Sequence, residues 1–107
     1  DRIDLTERAA TLARRHDLPT PTSIRWVDGM RSRWGSCTPE AGSVRLSSAL
    51  GPYPDWVVDY VIVHELAHLQ QPDHTRAFWA LVDRYPRSER ARGYLMAKSG
   101  DAEADDW

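Results

Sequence analysis

The sequence has little that would support a disulfide scaffold, a membrane span or a nucleic-acid-binding surface. It contains one cysteine, Cys37, so no disulfide can form within the chain, and this is more typical of a reducing compartment. Its apolar runs, such as YVIV at 60–63, are far shorter than the ~20 residues of a membrane helix. The net charge of -2 attracts neither nucleic acid nor an anionic membrane, and the first residues lack a signal-peptide core. We therefore expect a cytoplasmic protein without a membrane or nucleic-acid partner.

The remaining composition is that of one globular domain. With 107 residues, of which 41% are hydrophobic and 28% charged, the chain can bury a single core. The last nine residues, SGDAEADDW, are polar and acidic. We predict one domain at residues 1–98 and a flexible acidic tail at residues 99–107.

Three segments have the composition of strands separated by turn residues. They are SIRWV at 23–27, MRSRWGSC at 30–37 and SVRLSSAL at 43–50. The Asp28-Gly29 pair between the first two is a common hairpin turn. The segments therefore predict a small three-stranded antiparallel sheet.

The sequence before and after these strands has the periodicity of helices. Apolar residues recur at Leu5, Ala9 and Leu12 before a proline stop, which predicts an N-terminal helix. After the sheet, a long helix is predicted between Pro54 and Pro72, followed by one or two more at residues 75–85 and 88–98. The predicted fold class is thus α+β.

The segment VIVHELAHLQQPDH at 61–74 holds three of the four histidines in the chain. On a helix, His64 and His68 lie one turn apart on the same face, so both rings can reach one ion. Zinc held by two histidines and a further ligand makes a bound water acidic, with a pKa near ~7. Glu65 is placed to take the proton from that water as a general acid/base.

The third ligand has several candidates. His74 follows His68 by six residues, and Pro72 between them ends the helix so that the chain can turn back. Metal preference and the short loop favour His74. Acidic candidates further along the chain are Asp83, Glu89 and Glu103.

The motif also has a purely structural interpretation. A match to H-E-x-x-H arises by chance in on the order of one in several hundred chains of this length, and isolated helical histidines are usually structural. Here the match falls on a predicted helix, with an apolar run before it and His74 behind it. This context favours one bound zinc ion.

Four blocks of the sequence, two of which contain the three histidines, stand in a characteristic order. They are RSRWGSC at 31–37, VRLSSAL at 44–50, DYVIVHELAHL at 59–69 and DHTRAFWALV at 73–82. Their order and spacing, over about half of the chain, resemble the YgjP-like metallopeptidase domain of bacterial proteins. The resemblance implies a zincin-like fold, with His64, His68 and His74 in the metal-ligand positions and Glu65 in the general acid/base position.

The departures from that family are small. Asp73 and Thr75 stand where asparagine and serine are usual, and a serine replaces an asparagine at Ser47 or Ser48. The histidine spacing equals that of the metzincins, but Gln71 occupies their glycine position and no Met-turn is evident. SprT-like proteases share the zinc helix but depend on DNA-binding segments that this sequence lacks.

Three functions fit these residues. The first is a metallopeptidase acting on a peptide or protein. The second is a zinc hydrolase of a small phosphorylated molecule such as a nucleotide, because strand alternation would project Arg31 and Arg33 together as an anion clamp. The two arginines are equally consistent with solvated surface charges. The third is a non-catalytic adaptor stabilised by zinc, which would have no use for Glu65.

Overall fold

Four helices and a three-stranded sheet make up the computed structural model, which describes residues 3–99. The described elements in chain order are α1 (Leu5–His16), β1 (Ser23–Val27), β2 (Gly35–Thr38), β3 (Ser43–Ser47), a short 3-10 turn (Ser48–Leu50), α2 (Asp55–Gln70), α3 (Arg76–Val82) and α4 (Ser88–Ser99). The predicted α+β class is confirmed, with one helix before the strands in the chain and three after them. Apart from Ser99, the predicted acidic tail lies outside the described residues, as does Glu103.

Local signals fix the ends of α1. The Asp4 carboxylate accepts a hydrogen bond from the Glu7 backbone amide at 3.3 Å, which caps the first turn. Asp17 adopts a left-handed conformation with φ of 54° and ends the helix. The predicted apolar face, which includes Leu5, Ala9 and Leu12, is buried.

The sheet is mixed rather than antiparallel. Its strand order is β1-β3-β2; β3 runs parallel to β1 and antiparallel to β2. The predicted hairpin at Asp28-Gly29 does not form, because the chain is irregular from residue 30 to residue 34 and β2 begins only at Gly35. This longer connection carries the chain to the far edge of the sheet. The next turn is tight, with hydrogen bonds from Ala41 to Thr38 and from Gly42 to Pro39, so β3 returns between the other two strands.

The central element of the core is α2. Its residues are buried without interruption from Val57 to Ala67, because the helix contacts α1, α3 and α4 as well as β2 and β3. A helix surrounded on all sides is expected to be apolar around its whole circumference. The polar residues within that stretch therefore need an explanation, and Asp59 has one: its carboxylate accepts two hydrogen bonds from the Arg8 guanidinium on α1.

Within residues 3–99, no helix combines the length and the apolar character needed to cross a membrane.

Candidate active site

The buried helix α2 carries the first two histidines and the glutamate of the sequence motif. His64 and Glu65 are each only 2% exposed, while His68, one turn later, is partly buried. The His64 and His68 ring centroids lie 4.9 Å apart, as expected for residues four apart on one helical face.

The third histidine reaches the same place from the loop after α2. Gln71 leaves the helix in an extended conformation, and Pro72 follows it. Thr75 then caps α3 by accepting a hydrogen bond from the Phe78 amide at 3.2 Å, so the loop that carries His74 is held at both ends. His74 Nε2 lies 3.1 Å from His68 Nε2.

The three histidines form a group able to hold a metal ion. One ring nitrogen from each of His64, His68 and His74 lies within 4.8 Å of the others. The acidic alternatives lie elsewhere: Asp83 accepts a hydrogen bond from the Ser88 hydroxyl at 3.0 Å, and Glu89 is exposed on α4.

The protonation and spacing of these rings suit a metal ion. His68 Nδ1 lies 3.1 Å from the Gln71 carbonyl oxygen, so Nδ1–H donates there and the lone pair of Nε2 points into the group. The 3.1 Å between His68 Nε2 and His74 Nε2 is short enough for both nitrogens to bind the same ion. Burial lowers the pKa of His64 well below its ordinary value and also lowers that of His68, which favours the neutral, metal-binding imidazole.

Glu65 faces the sheet from its place between the two histidines. A methyl group added at Gly35 would lie 3.2 Å from both Glu65 Cγ and Oε2, so β2 approaches the carboxylate closely. Burial raises the pKa of Glu65 to about 8, against the opposing effects of a hydrogen bond from the Cys37 thiol and the charges of Arg33 and Arg45. A metal cation at the histidines would add positive charge and favour the ionised carboxylate.

An open cavity joins these groups to solvent. Its volume is about 540 Å³, and it lies between the β2 region and the α2 helix with its following loop. Its lining residues are Ser32, Arg33, Gly35, Ser36, Cys37, Pro39, His64, Glu65, His68, Pro72 and His74. The arrangement provides three imidazoles, a buried carboxylate and access for a substrate.

The structure removes the strand alternation from which the pairing of Arg31 and Arg33 was predicted. Arg31 and Arg33 precede β2, so the strand alternation on which their common direction was based does not apply. Arg33 lines the cavity, whereas Arg31 is not among its lining residues. Arg45, which the sequence analysis did not single out, donates to Ser36 and Thr38 and adds a second positive charge near Glu65, besides that of Arg33. The sequence did contain a signal for Arg45, because it lies between the apolar residues Val44 and Leu46 of a predicted strand and so belongs to the opposite face.

Comparison with known proteins gives the family and the fold. The model of the family described as "YgjP-like, metallopeptidase domain" matches residues 2–98. Among solved structures, the chain is similar to the metallopeptidase zymogen of Pyrococcus abyssi abylysin, with 20% identity over 86% of this chain and 91% of that one and a TM-score of 0.74. It is also similar to the metallopeptidase zymogen of Methanocaldococcus jannaschii jannalysin, with 16% identity over 91% and 98% of the chains and a TM-score of 0.72. No curated protein sequence matches. The zincin-like fold is thereby confirmed.

Proposed function

The chain belongs to the YgjP-like family of metallopeptidase domains, and we propose that it is a zinc-dependent metallopeptidase in which Glu65 activates the attacking water. The observation that carries this proposal is the convergence of three histidine nitrogens within 4.8 Å, beside a carboxylate that is only 2% exposed. We assign the catalytic domain to residues 1–98 and retain the expectation of a cytoplasmic location.

His64, His68 and His74 would hold the zinc ion. A zinc ion held by these three imidazoles alone would have room for water or substrate, as in catalytic rather than structural zinc sites. When bound, zinc supplies Lewis acidity that polarises a carbonyl group and makes a nearby water more acidic. The hydrogen bond from His68 Nδ1 to the Gln71 carbonyl fixes the ring orientation needed for this role.

Glu65 would transfer protons. A carboxylate oxygen accepts the proton of the attacking water and then delivers it to the nitrogen of the leaving amine, so the Glu65 carboxylate is regenerated in each cycle. The Cys37 thiol and the charges of Arg33 and Arg45 favour the ionised form in which Glu65 begins the reaction. Burial of the carboxylate keeps it in one position close to the histidines.

The sheet offers a way to orient a peptide or protein substrate. β2 is an edge strand, and Gly35, Ser36 and Cys37 of this strand line the cavity. An extended peptide can add to such an edge through main-chain hydrogen bonds, with little dependence on its sequence. A substrate bound in this way would pass over Glu65 and the histidines.

The two alternative functions have less support. A small phosphorylated substrate would be held by Arg33 without Arg31, which is not among the cavity-lining residues. A zinc-stabilised adaptor needs no open side to its metal site, whereas the cavity opens on all three histidines.

Hydrolysis by paired variants tests the proposal. Zinc-loaded wild type should cleave members of a fluorogenic peptide panel or an unstructured protein, and Glu65→Gln should retain zinc while losing about 100-fold or more in kcat. Glu7→Gln, an exposed change on α1, is the matched control and should behave as wild type. Equal turnover by Glu65→Gln and wild type would remove Glu65 from the mechanism. Cleavage of nucleotides but not peptides would favour the phosphorylated-substrate alternative.

A further inference from the structure

Helix α3 supplies no metal ligand, yet two consecutive residues on it contact all three histidines. These residues, Phe78 and Trp79, are called the aromatic pair below. The Phe78 ring stacks on His68, with centroids 4.3 Å apart and planes 25° apart. It also meets His64 and His74 edge-on, at 5.0 Å in each case.

Trp79 completes the contacts. Its ring lies nearly parallel to His74, with a centroid distance of 5.7 Å and an interplanar angle of 22°. It also meets His64 edge-on at 5.9 Å. The aromatic pair therefore touches each of the three rings, and both members touch His64 and His74.

Of the three histidines, His74 is the one whose ring is oriented least by the backbone that carries it. His64 and His68 are set on the rigid frame of α2, and the Nδ1 of His68 is held by a backbone carbonyl. His74 lies in a loop and is exposed, so helical geometry does not orient its ring. The flat stack on Trp79 and the edge contact with Phe78 hold the imidazole from two directions.

Trp79 is itself held by α4. The Arg92 guanidinium carbon lies 4.3 Å from the centroid of the Trp79 ring, within the range of a cation–π interaction. The Nε atom of Arg92 is buried and has no hydrogen-bond partner within residues 3–99. The contact with the face of Trp79 is therefore an electrostatic interaction that the structure shows for this partly buried side chain.

We propose that Phe78 and Trp79 are positioning residues of the metal centre, and that Arg92 holds Trp79 in place against His74. The inference rests on the metal site described under the proposed function. Groups that orient metal ligands without binding the metal commonly change affinity by about 10- to 100-fold. Here the orientation is achieved by ring stacking and a cation–π contact, so α3 and α4 both contribute to zinc affinity.

Zinc affinity, measured by competition with a chromophoric chelator, tests the proposal without relying on activity. Trp79→Leu should weaken zinc binding about 10- to 100-fold, and Trp79→Tyr, which retains a flat ring, should recover most of the loss. Arg92→Met should weaken binding in the same direction, and Arg92→Lys should lie between Arg92→Met and wild type because the cation is kept. Trp79 is only partly buried, so its replacement disturbs the fold less than replacement of the fully buried Phe78.

Trp56→Leu is the matched control for loss of a tryptophan. Trp56 is also partly buried, but its ring contacts Tyr94 at 5.7 Å on another part of the molecule. Urea unfolding of each variant in the presence of chelator measures loss of stability separately from loss of affinity. If Trp79→Leu does not fold without metal, the two Arg92 variants decide the outcome.

The outcomes separate this inference from the proposed function. Wild-type zinc affinity in folded Trp79→Leu and Arg92→Met would overturn the inference and leave the metal site intact. An equal loss in Trp56→Leu would also overturn it, because the effect would then be one of general stability. If the wild type binds no zinc, the metal site and the inference both fail.

Discussion

Glu65 is an ionisable residue that is only 2% exposed, so its ionisation affects the stability of the fold. Burial raises its pKa from the ordinary 4.5 to about 8. A group whose pKa is higher in the folded state stabilises the fold below its unfolded pKa, and this contribution is lost as pH rises through the folded pKa. For Glu65 the loss occurs between about pH 4.5 and pH 8.

The metal-free protein should therefore gain stability from Glu65→Gln at high pH. We expect the variant to exceed wild type by roughly 2–4 kcal/mol in free energy of unfolding at pH 9, and to match it near pH 4.5. Urea unfolding with chelator at several pH values measures the difference. Added zinc should reduce it, since the cation stabilises the carboxylate. A difference that does not change with pH would contradict the assigned burial effect.

Gly35 controls how closely the sheet approaches Glu65. A methyl group there would lie 3.1 Å from the Arg45 carbonyl oxygen and 3.2 Å from Glu65 Oε2, so one of these neighbours must move. Gly35→Ala should lower kcat roughly tenfold through displacement of the carboxylate, with zinc content unchanged. Gly93→Ala on α4 is the control, because nothing lies within 4 Å of the added methyl. Unchanged kcat in Gly35→Ala would show that Glu65 tolerates the displacement.

Between helices, the Arg8–Asp59 pair connects α1 to α2, the helix that carries His64 and His68. Arg8 donates from Nε to Asp59 Oδ1 at 2.7 Å and from a terminal nitrogen to Oδ2 at 2.5 Å. Asp59 is only 4% exposed, so removal of its partner leaves a buried charge unpaired. Arg8→Met should cost about 2–3 kcal/mol in urea unfolding, and Arg14→Met, exposed on the same helix, should cost about 0.5 or less. Equal losses would mean that the pair does not stabilise the fold.

The helices were predictable from local signals, whereas the sheet topology was not. Pro54 and Pro72 bracket α2 in the sequence, and the structure places its ends at Asp55 and Gln70. The parallel pairing of β1 with β3 depends on the path of residues 28–34, which turn chemistry alone assigned to a hairpin. Pairing between distant strands depends on burial of the assembled sheet, and no short segment encodes it.

The candidate site also has features that were predictable from the sequence and features that were not. The i, i+4 spacing of His64 and His68 is a property of one helix, so it was predictable. The contacts of Phe78 and Trp79 with the histidines depend on how α3 packs beside α2, and the sequence indicated only that these rings belong to a helix. Arg31 and Arg33 were interpreted through a strand period that does not extend to them.

At the scale of the whole molecule, the core consists mainly of buried apolar residues. Leu46, Leu12 and Leu95 are almost completely buried against the rest of the core, and none of them lines the cavity on which the three imidazoles open. We expect the metal-free protein to be folded and zinc to stabilise it, by about 2.7 kcal/mol at a free concentration 100 times Kd. Thermal unfolding with zinc and with chelator measures this gain, and His74→Ala should reduce it. A chain that is unfolded without metal would instead make zinc structurally essential.

The most direct measurement is the metal content of untagged protein purified without chelator and analysed by plasma mass spectrometry, for wild type, His74→Ala and Glu89→Gln. Wild type and Glu89→Gln should each contain about one zinc per chain, and His74→Ala should lose most of it. Full zinc in His74→Ala with loss in Glu89→Gln would contradict the three-histidine centre. Wild type that remains without metal even after incubation with zinc would contradict the account as a whole.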